Sequence, residues 1–146
     1  MDKVNWKFDN TYSKLSKSFR ELIKPTPVHN PEIIIFNHQL AKDLNLDFSK
    51  LNNEELSNIF SGNDLPKESK TLAQAYAGHQ FGHFTMLGDG RAVLLGEHLD
   101  NKKNRYDIQF KGSGRTSFSR GGDGRAALGP MLREYLISEA IYSLKI

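Results

Sequence analysis

A chain of 146 residues with no cysteine cannot use disulfides, thiolate catalysis or cysteine-ligated zinc. Its 38% hydrophobic content suffices for one modest core, and 25% charged residues balanced to a net +3 leave no basic tract of the kind nucleic acid would demand. No apolar run reaches the about 20 residues that cross a bilayer, and residues 1–15 carry Asp2 and Asp9 without a continuous apolar stretch, so no membrane anchor, secretory signal or transit peptide is read and the cytoplasm is the expected location.

Residues 12–81 read as short helices joined by turns. Leu15, Phe19, Leu22 and Ile23 fall at helix spacing, as do Phe36, Leu40, Leu44 and Leu46 more loosely. Pro25, Pro27 and Pro31 punctuate one junction, and Asn63, Asp64 and Pro66 a later one. Ser69 is placed to cap a helix over residues 70–76 that Gly78 would end. From Gly88 onward glycine becomes dense, and two β-like runs follow, residues 92–97 and Arg105–Lys111. Asp100, Asn101 and Asn104 supply a polar turn between them, so an antiparallel pair is expected. A last helix spans 131–144 with apolar residues on more than one face, which predicts burial on two sides. Ile146 follows without a capping glycine or polar tail, the mark of a cut chain. The expected class is α+β: a mainly helical segment, 1–82, and a glycine-rich segment with hairpin and helix, 83–146, together forming one incomplete domain.

The chemistry concentrates between Gly88 and Glu134. In Gly88-Asp89-Gly90-Arg91 the glycines permit positive φ and close approach of backbone amides to phosphate oxygens, with Arg91 adding charge. A hairpin turn accounts for the same residues, and pattern alone favours it. Lys111 ends a strand in which Tyr106, Ile108 and Phe110 share one face and Asp107, Gln109 and Lys111 the other. A strand lysine followed by a helix carrying a carboxylate is the protein-kinase arrangement for holding ATP phosphates, and Glu134 stands 23 residues on. A pair with Arg133, or simple exposure, explains Glu134 equally well. The loop over 112–125 packs glycines, hydroxyls, Arg115, Arg120 and Arg125, and must be satisfied by an anion or by internal bonds. An exposed arginine loop attracting RNA is the competing reading. His79 and His83, four apart, lack a third ligand, and Gly78 and Gly82 interrupt any helix that would align them.

Tyr76-Ala77-Gly78-His79-Gln80-Phe81-Gly82, Leu87 to Ala92, Lys111 to Thr116, Ser119 to Ala126 and Arg133-Glu134 together resemble the selenoprotein O family, which includes the bacterial YdiU proteins. The similarity runs from Phe8-Asp9-Asn10 and Pro25-Thr26-Pro27 nearly to the end. It implies a protein-kinase-like amino-terminal lobe, helices packed on a small antiparallel sheet, with the carboxy-terminal lobe absent. It also implies transfer of AMP from ATP to Ser, Thr or Tyr hydroxyls of proteins, with the nucleotide inverted relative to ordinary kinases. By motif, Gly88, Gly90, Arg91, Lys111, Asp123 and Gly124 would contact ATP and Glu134 would pair with Lys111. The catalytic aspartate, the ligands for Mg²⁺ or Mn²⁺ and further phosphate-binding arginines would lie beyond Ile146, so no catalytic residue or metal ligand is assigned in this chain. The expected partners are ATP and hydroxyl-bearing proteins, with self-association of the fragment. A kinase-like phosphotransferase and a non-enzymatic anion- or RNA-binding module remain the alternatives.

Overall fold

The computed structural model describes residues 3–146; Met1 and Asp2, the latter part of the acidic start noted above, lie outside them. The order is a 3₁₀ turn (Tyr12–Lys14), β1 (Arg20–Leu22), α1 (His38–Asp43), α2 (Asn53–Ser61), β2 (Leu72–Gln74), β3 (Ala77–Gln80), β4 (His83–Met86), β5 (Ala92–Leu99), β6 (Arg105–Lys111) and α3 (Leu128–Ser143). Strands β1, β2, β5 and β6 form one antiparallel sheet in that order, and β3 pairs with β4 as a separate hairpin. The class is mixed α+β, as expected.

The hairpin of β5 and β6 follows from its residues. Val93, Leu94 and Leu95 are almost wholly buried, which identifies β5 as the central strand covered on both faces. On β6 only Phe110 is buried and Ile108 is half-buried, so the expected alternation holds on an edge strand. The Asp100 carboxylate organises the turn by accepting from the amides of Lys102 and Asn104 and from Asn104 Nδ2, each at 2.8 Å. Gly96 admits the amino-terminal segment: a Cβ there would stand 2.6 Å from the Phe8 ring and 2.7 Å from Asn10 Oδ1. That segment runs along β5, where Phe8 bridges His98 and the amides of Asp9 and Leu99 donate to Glu97 and Lys7 carbonyls. His98 is buried and ties both parts to α1. It accepts from the Lys7 amide at Nδ1 and donates from Nε2 to the Leu44 carbonyl. A second core of Val4, Leu44 and Leu46, with Trp6, Phe48, Leu51 and Ile108 against it, forms around this junction.

Two helical expectations are overturned. Residues 15–23 contain β1, and residues 70–76 contain β2, with Gly78 inside β3 rather than at a helix end. Seven residues are too few to hold a helix unaided. Leu72 and Ala73, fully buried, satisfy their backbone by pairing with β1 on one side while β2 meets β5 on the other. Apart from the 3₁₀ turn at Tyr12–Lys14, helix in this half is confined to α1 and α2. Asn52 and Glu55 form a capping box on α2, and Gly62, at φ 84°, closes it. The expected burial of the last helix on two sides is also not met. No residue of α3 is buried, and Leu136, Ile137, Ile141, Tyr142 and Leu144 all stand exposed. Its apolar faces have no covering element among the described residues.

Glu97 is 4% exposed and accepts from Thr11 Oγ1 and the Tyr12 amide at 2.6 Å and from Arg105 at 3.2 Å. Arg105 also holds Asp9 at 2.7 Å. That bond keeps the Asp9 carboxyl below its ordinary 3.8. A carboxyl lowered in the folded state contributes stability that is present above its unfolded pKa and lost as pH falls through the folded value. The melting temperature is therefore expected to fall on acidification below about pH 4, and Asp9→Asn to flatten that slope in thermal melts. An unchanged slope in the variant would show that Asp9 does not couple to folding.

Candidate functional site

Antiparallel pairing of β5 with β2 and β6 brings three chain ends to one end of the sheet. Ala92 pairs with Lys111, and the Leu72–Leu94 pair sets the end of β2 beside the start of β5. Two connections spring from that end. One, residues 75–91, carries the β3–β4 hairpin and the Gly88 to Arg91 turn; the other, residues 112–127, leads to α3. The predicted residues Gly88, Gly90, Arg91, Lys111, Asp123 and Gly124 lie on these connections or at the strand end beside them, and Glu134 lies in α3, to which the second connection leads.

The Gly88 turn is drawn inward more than expected. The Leu87 and Gly88 amides donate to the Tyr76 carbonyl and the Asp89 amide to the Gln74 carbonyl, while Asp89 Oδ2 accepts from the Gln74 amide. Burial pushes the Asp89 carboxyl above its ordinary value, the Gln74 bond opposes this, and the charge of Asp107 adds to the rise. Gly88 and Gly90 adopt φ of 57° and 67°. The Phe118 ring lies across Gly88, where a Cβ would meet its Cγ at 2.4 Å. Thr116 Oγ1 and Ser119 Oγ donate to the Gly90 carbonyl at 2.6 and 3.0 Å. The glycines do shape a turn, but not that of a hairpin, because it joins β4 to β5 and these strands belong to different sheets; their left-handed backbone presents the Gly90–Arg91 corner beside the loop.

Lys111 Nζ lies 2.6 Å from Glu134 Oε2, with the side chains 45% and 48% exposed. The pair links the end of β6 to α3. At this exposure its worth to stability is small, about 0–1 kcal/mol. Its effect is to aim the ammonium.

Internal bonding satisfies most of the arginine loop, with the buried Ser113 Oγ left without a hydrogen-bond partner among the described residues. Ser113 bridges Arg125, the Gly114 amide donates to the Gly124 carbonyl, and the Thr26 amide donates to Ser113. Asp123 Oδ1 accepts from the Arg125 amide at 2.8 Å, so this carboxylate shapes the turn. Arg115 donates to the carbonyls of Gly121 and Gly122, Arg125 to that of Pro27, and Arg91 to that of Arg125. Arg120 sits 5.6 Å from the centre of the Phe81 ring. None of these four guanidiniums forms a salt bridge among the described residues. Carbonyls direct Arg91, Arg115 and Arg125, and the Phe81 ring Arg120, without cancelling their charge, so this end of the sheet suits an anion.

Sequence reasoning missed Phe118, Thr116 and Ser119 as the cover of the glycine turn. It also missed Glu21, whose Oε2 accepts from the Ser117 amide at 2.9 Å. No spacing signal marks such contacts, because the partners are from 26 to 96 residues apart. His79 and His83 sit in the exposed hairpin, and no three metal-ligating side chains gather among the described residues.

Residues 2–146 match the family described as Protein adenylyltransferase SelO. The chain belongs to that family. Among its SelO relatives, "Protein nucleotidyltransferase YdiU" of Pelagibacter ubique is 67% identical over 143 residues, covering 98% of this chain and 30% of the relative. The proteins of the same name from Anoxybacillus flavithermus and Nitrosococcus oceani are 60% and 59% identical, with 98% of this chain and 30% and 29% of the relatives covered. This SelO chain therefore spans about 30% of the length of the curated relatives it matches. No helix among the described residues is long and apolar enough to cross a membrane.

Proposed function

We propose that this segment is the ATP-binding portion of a protein adenylyltransferase, a kinase-like amino-terminal lobe that directs AMP to Ser, Thr or Tyr hydroxyls of protein substrates. The carrying observation is the 2.6 Å Lys111–Glu134 pair at the same end of the sheet as the Gly88 to Arg91 turn and the Asp123-Gly124 corner. A strand lysine aimed by a helix carboxylate holds phosphate oxygens at a fixed distance, and surrounding guanidiniums lower the cost of gathering negative charge. With the nucleotide inverted, Lys111 takes the terminal phosphates and leaves the α-phosphate open to a hydroxyl. Gly88, Gly90 and Gly124 serve by close backbone approach, Arg91 by charge and Asp123 by holding the loop.

No three metal-ligating side chains gather among the described residues, and the acids at this end already hold hydrogen-bond partners. Asp89 is bonded by Gln74, Asp123 by Arg125 and Glu134 by Lys111. Mg²⁺ or Mn²⁺ would be held by ligands in the further chain of the longer relatives. We read segments 1–82 and 83–146 as one incomplete domain, because β2 of the first pairs with β5 of the second. The exposed apolar residues of α3 suit cover by further chain in the longer relatives, or self-association of this segment alone.

This chain by itself is expected to bind ATP weakly and to transfer no AMP, since one wall of a cleft buries too little of a nucleotide. Calorimetry with ATP and Mg²⁺ and a labelled-AMP transfer assay check this; tight binding or measurable transfer would overturn it. In a full-length family member, the mass added to a protein substrate separates AMP transfer from transfer of a phosphoryl group.

A further inference from the structure

We propose that Asn37 and Glu139 form a second clamp on α3, making Asn37 a positioning residue for the Lys111–Glu134 pair. Helix α3 has no fully buried residue, with only Pro130, Met131, Leu132 and Glu139 half-buried, so packing holds its rotation weakly. Among the described residues, two side-chain hydrogen bonds join it to the rest of the fold: Lys111 to Glu134 at 2.6 Å and Asn37 Nδ2 to Glu139 Oε1 at 2.9 Å. Positions 134 and 139 lie about 7.5 Å apart along a helix axis and about 140° around it. Tie points so placed resist rolling, since a turn that slackens one pulls on the other.

Asn37 is suited to this task because both ends of its amide are committed. Its Oδ1 caps α1 by accepting from the Leu40 amide at 2.9 Å, which turns Nδ2 toward Glu139. The preceding Phe36 is seated among aromatic rings, 5.2 Å from Phe48 and 5.5 Å from Phe60 between centroids. The clamp thus fastens α3 to the helical layer, while Glu134 fastens it to the sheet. Its weight in catalysis rests on reading Lys111 as the nucleotide lysine; the clamp itself does not.

The test uses this chain without nucleotide, so failure of the clamp and failure of the nucleotide reading are told apart. Asn37→Asp keeps the capping oxygen but sets a carboxylate against Glu139. Amide hydrogen exchange in α3 and the rate at which an acylating reagent labels Lys111 are both expected to rise about fivefold, the weight of one exposed charged contact, with exchange in α1 unchanged. Adding Glu139→Gln restores a donor–acceptor pair in the reverse sense and should return both rates to wild-type values. Wild-type rates in Asn37→Asp, or no recovery in the double variant, would overturn the clamp. Should both rates behave as expected while Asn37→Asp leaves ATP affinity and AMP transfer intact in a full-length family member, the nucleotide reading of Lys111 fails instead.

Discussion

Lys111→Ala in a full-length family member is expected to lower AMP transfer about 100- to 1,000-fold, the usual loss when one preorganised charge contact to a reacting group is removed. The melting temperature should barely move. Lys111 and Glu134 are each about half exposed, and an ion pair in water contributes little to folding. The burial of Phe110, one residue before, keeps β6 in place whatever follows it. Glu134→Gln should give a smaller loss, because the ammonium keeps its charge and loses only its direction. Lys111→Arg should not rescue fully, since a planar guanidinium cannot reproduce the reach of a point charge. Transfer assays at saturating and limiting ATP, paired with thermal melts, check all three. Retention of more than about a tenth of the activity in Lys111→Ala would remove this residue from the nucleotide site.

The largest stability effect is expected at Gly124. Its φ of 71° lies in the left-handed region, and a Cβ there would stand 1.9 Å from the Gly114 carbonyl oxygen. That oxygen, its carbonyl carbon and the Arg115 nitrogen at 2.6 Å are all backbone atoms, which cannot swing aside as a side-chain tip can. Left-handed strain costs about 1 kcal/mol or more and forced overpacking about 1–3 kcal/mol, so Gly124→Ala should destabilise by about 3 kcal/mol. For a domain of this size that is a fall of roughly 6–12 °C in melting temperature. Two other glycines separate the causes. Gly121 shares a positive φ, 81°, with open space around it, so Gly121→Ala should cost only the strain, about 1 kcal/mol. Gly129, in the first turn of α3, has neither constraint, and alanine there should be neutral or mildly stabilising. Equal shifts for Gly124 and Gly121 would show that the Gly114 contact is not a real obstacle.

What could be read from the residues was local in origin. The β5–β6 pair was legible because alternation in Arg105–Lys111 and a polar turn around Asp100 both act within a few residues. The candidate site was legible at Lys111 and Glu134 for a similar reason, as strand and helix periods place both side chains. β1 and β2 were not. Each spans three residues, β1 closes a stretch with helix-compatible spacing at Leu15, Phe19 and Leu22, and only a partner strand some fifty residues away decides the matter, with Leu22 opposite Leu72. Burial of α3 was misread because an apolar pattern reports a need for cover without reporting whether the cover is present in the chain.

The amino-terminal segment lies along β5 through contacts such as the Lys7 amide to His98, 91 positions apart. Closing so long a loop is slow compared with forming a local hairpin, and topology of this kind lowers folding rates. During synthesis residues 7–12 are made well before Glu97 and His98 exist to receive them, so they wait unpaired until those residues follow. Glu97, which Thr11 and Tyr12 must supply with donors, is accordingly completed only when that segment folds back onto the sheet.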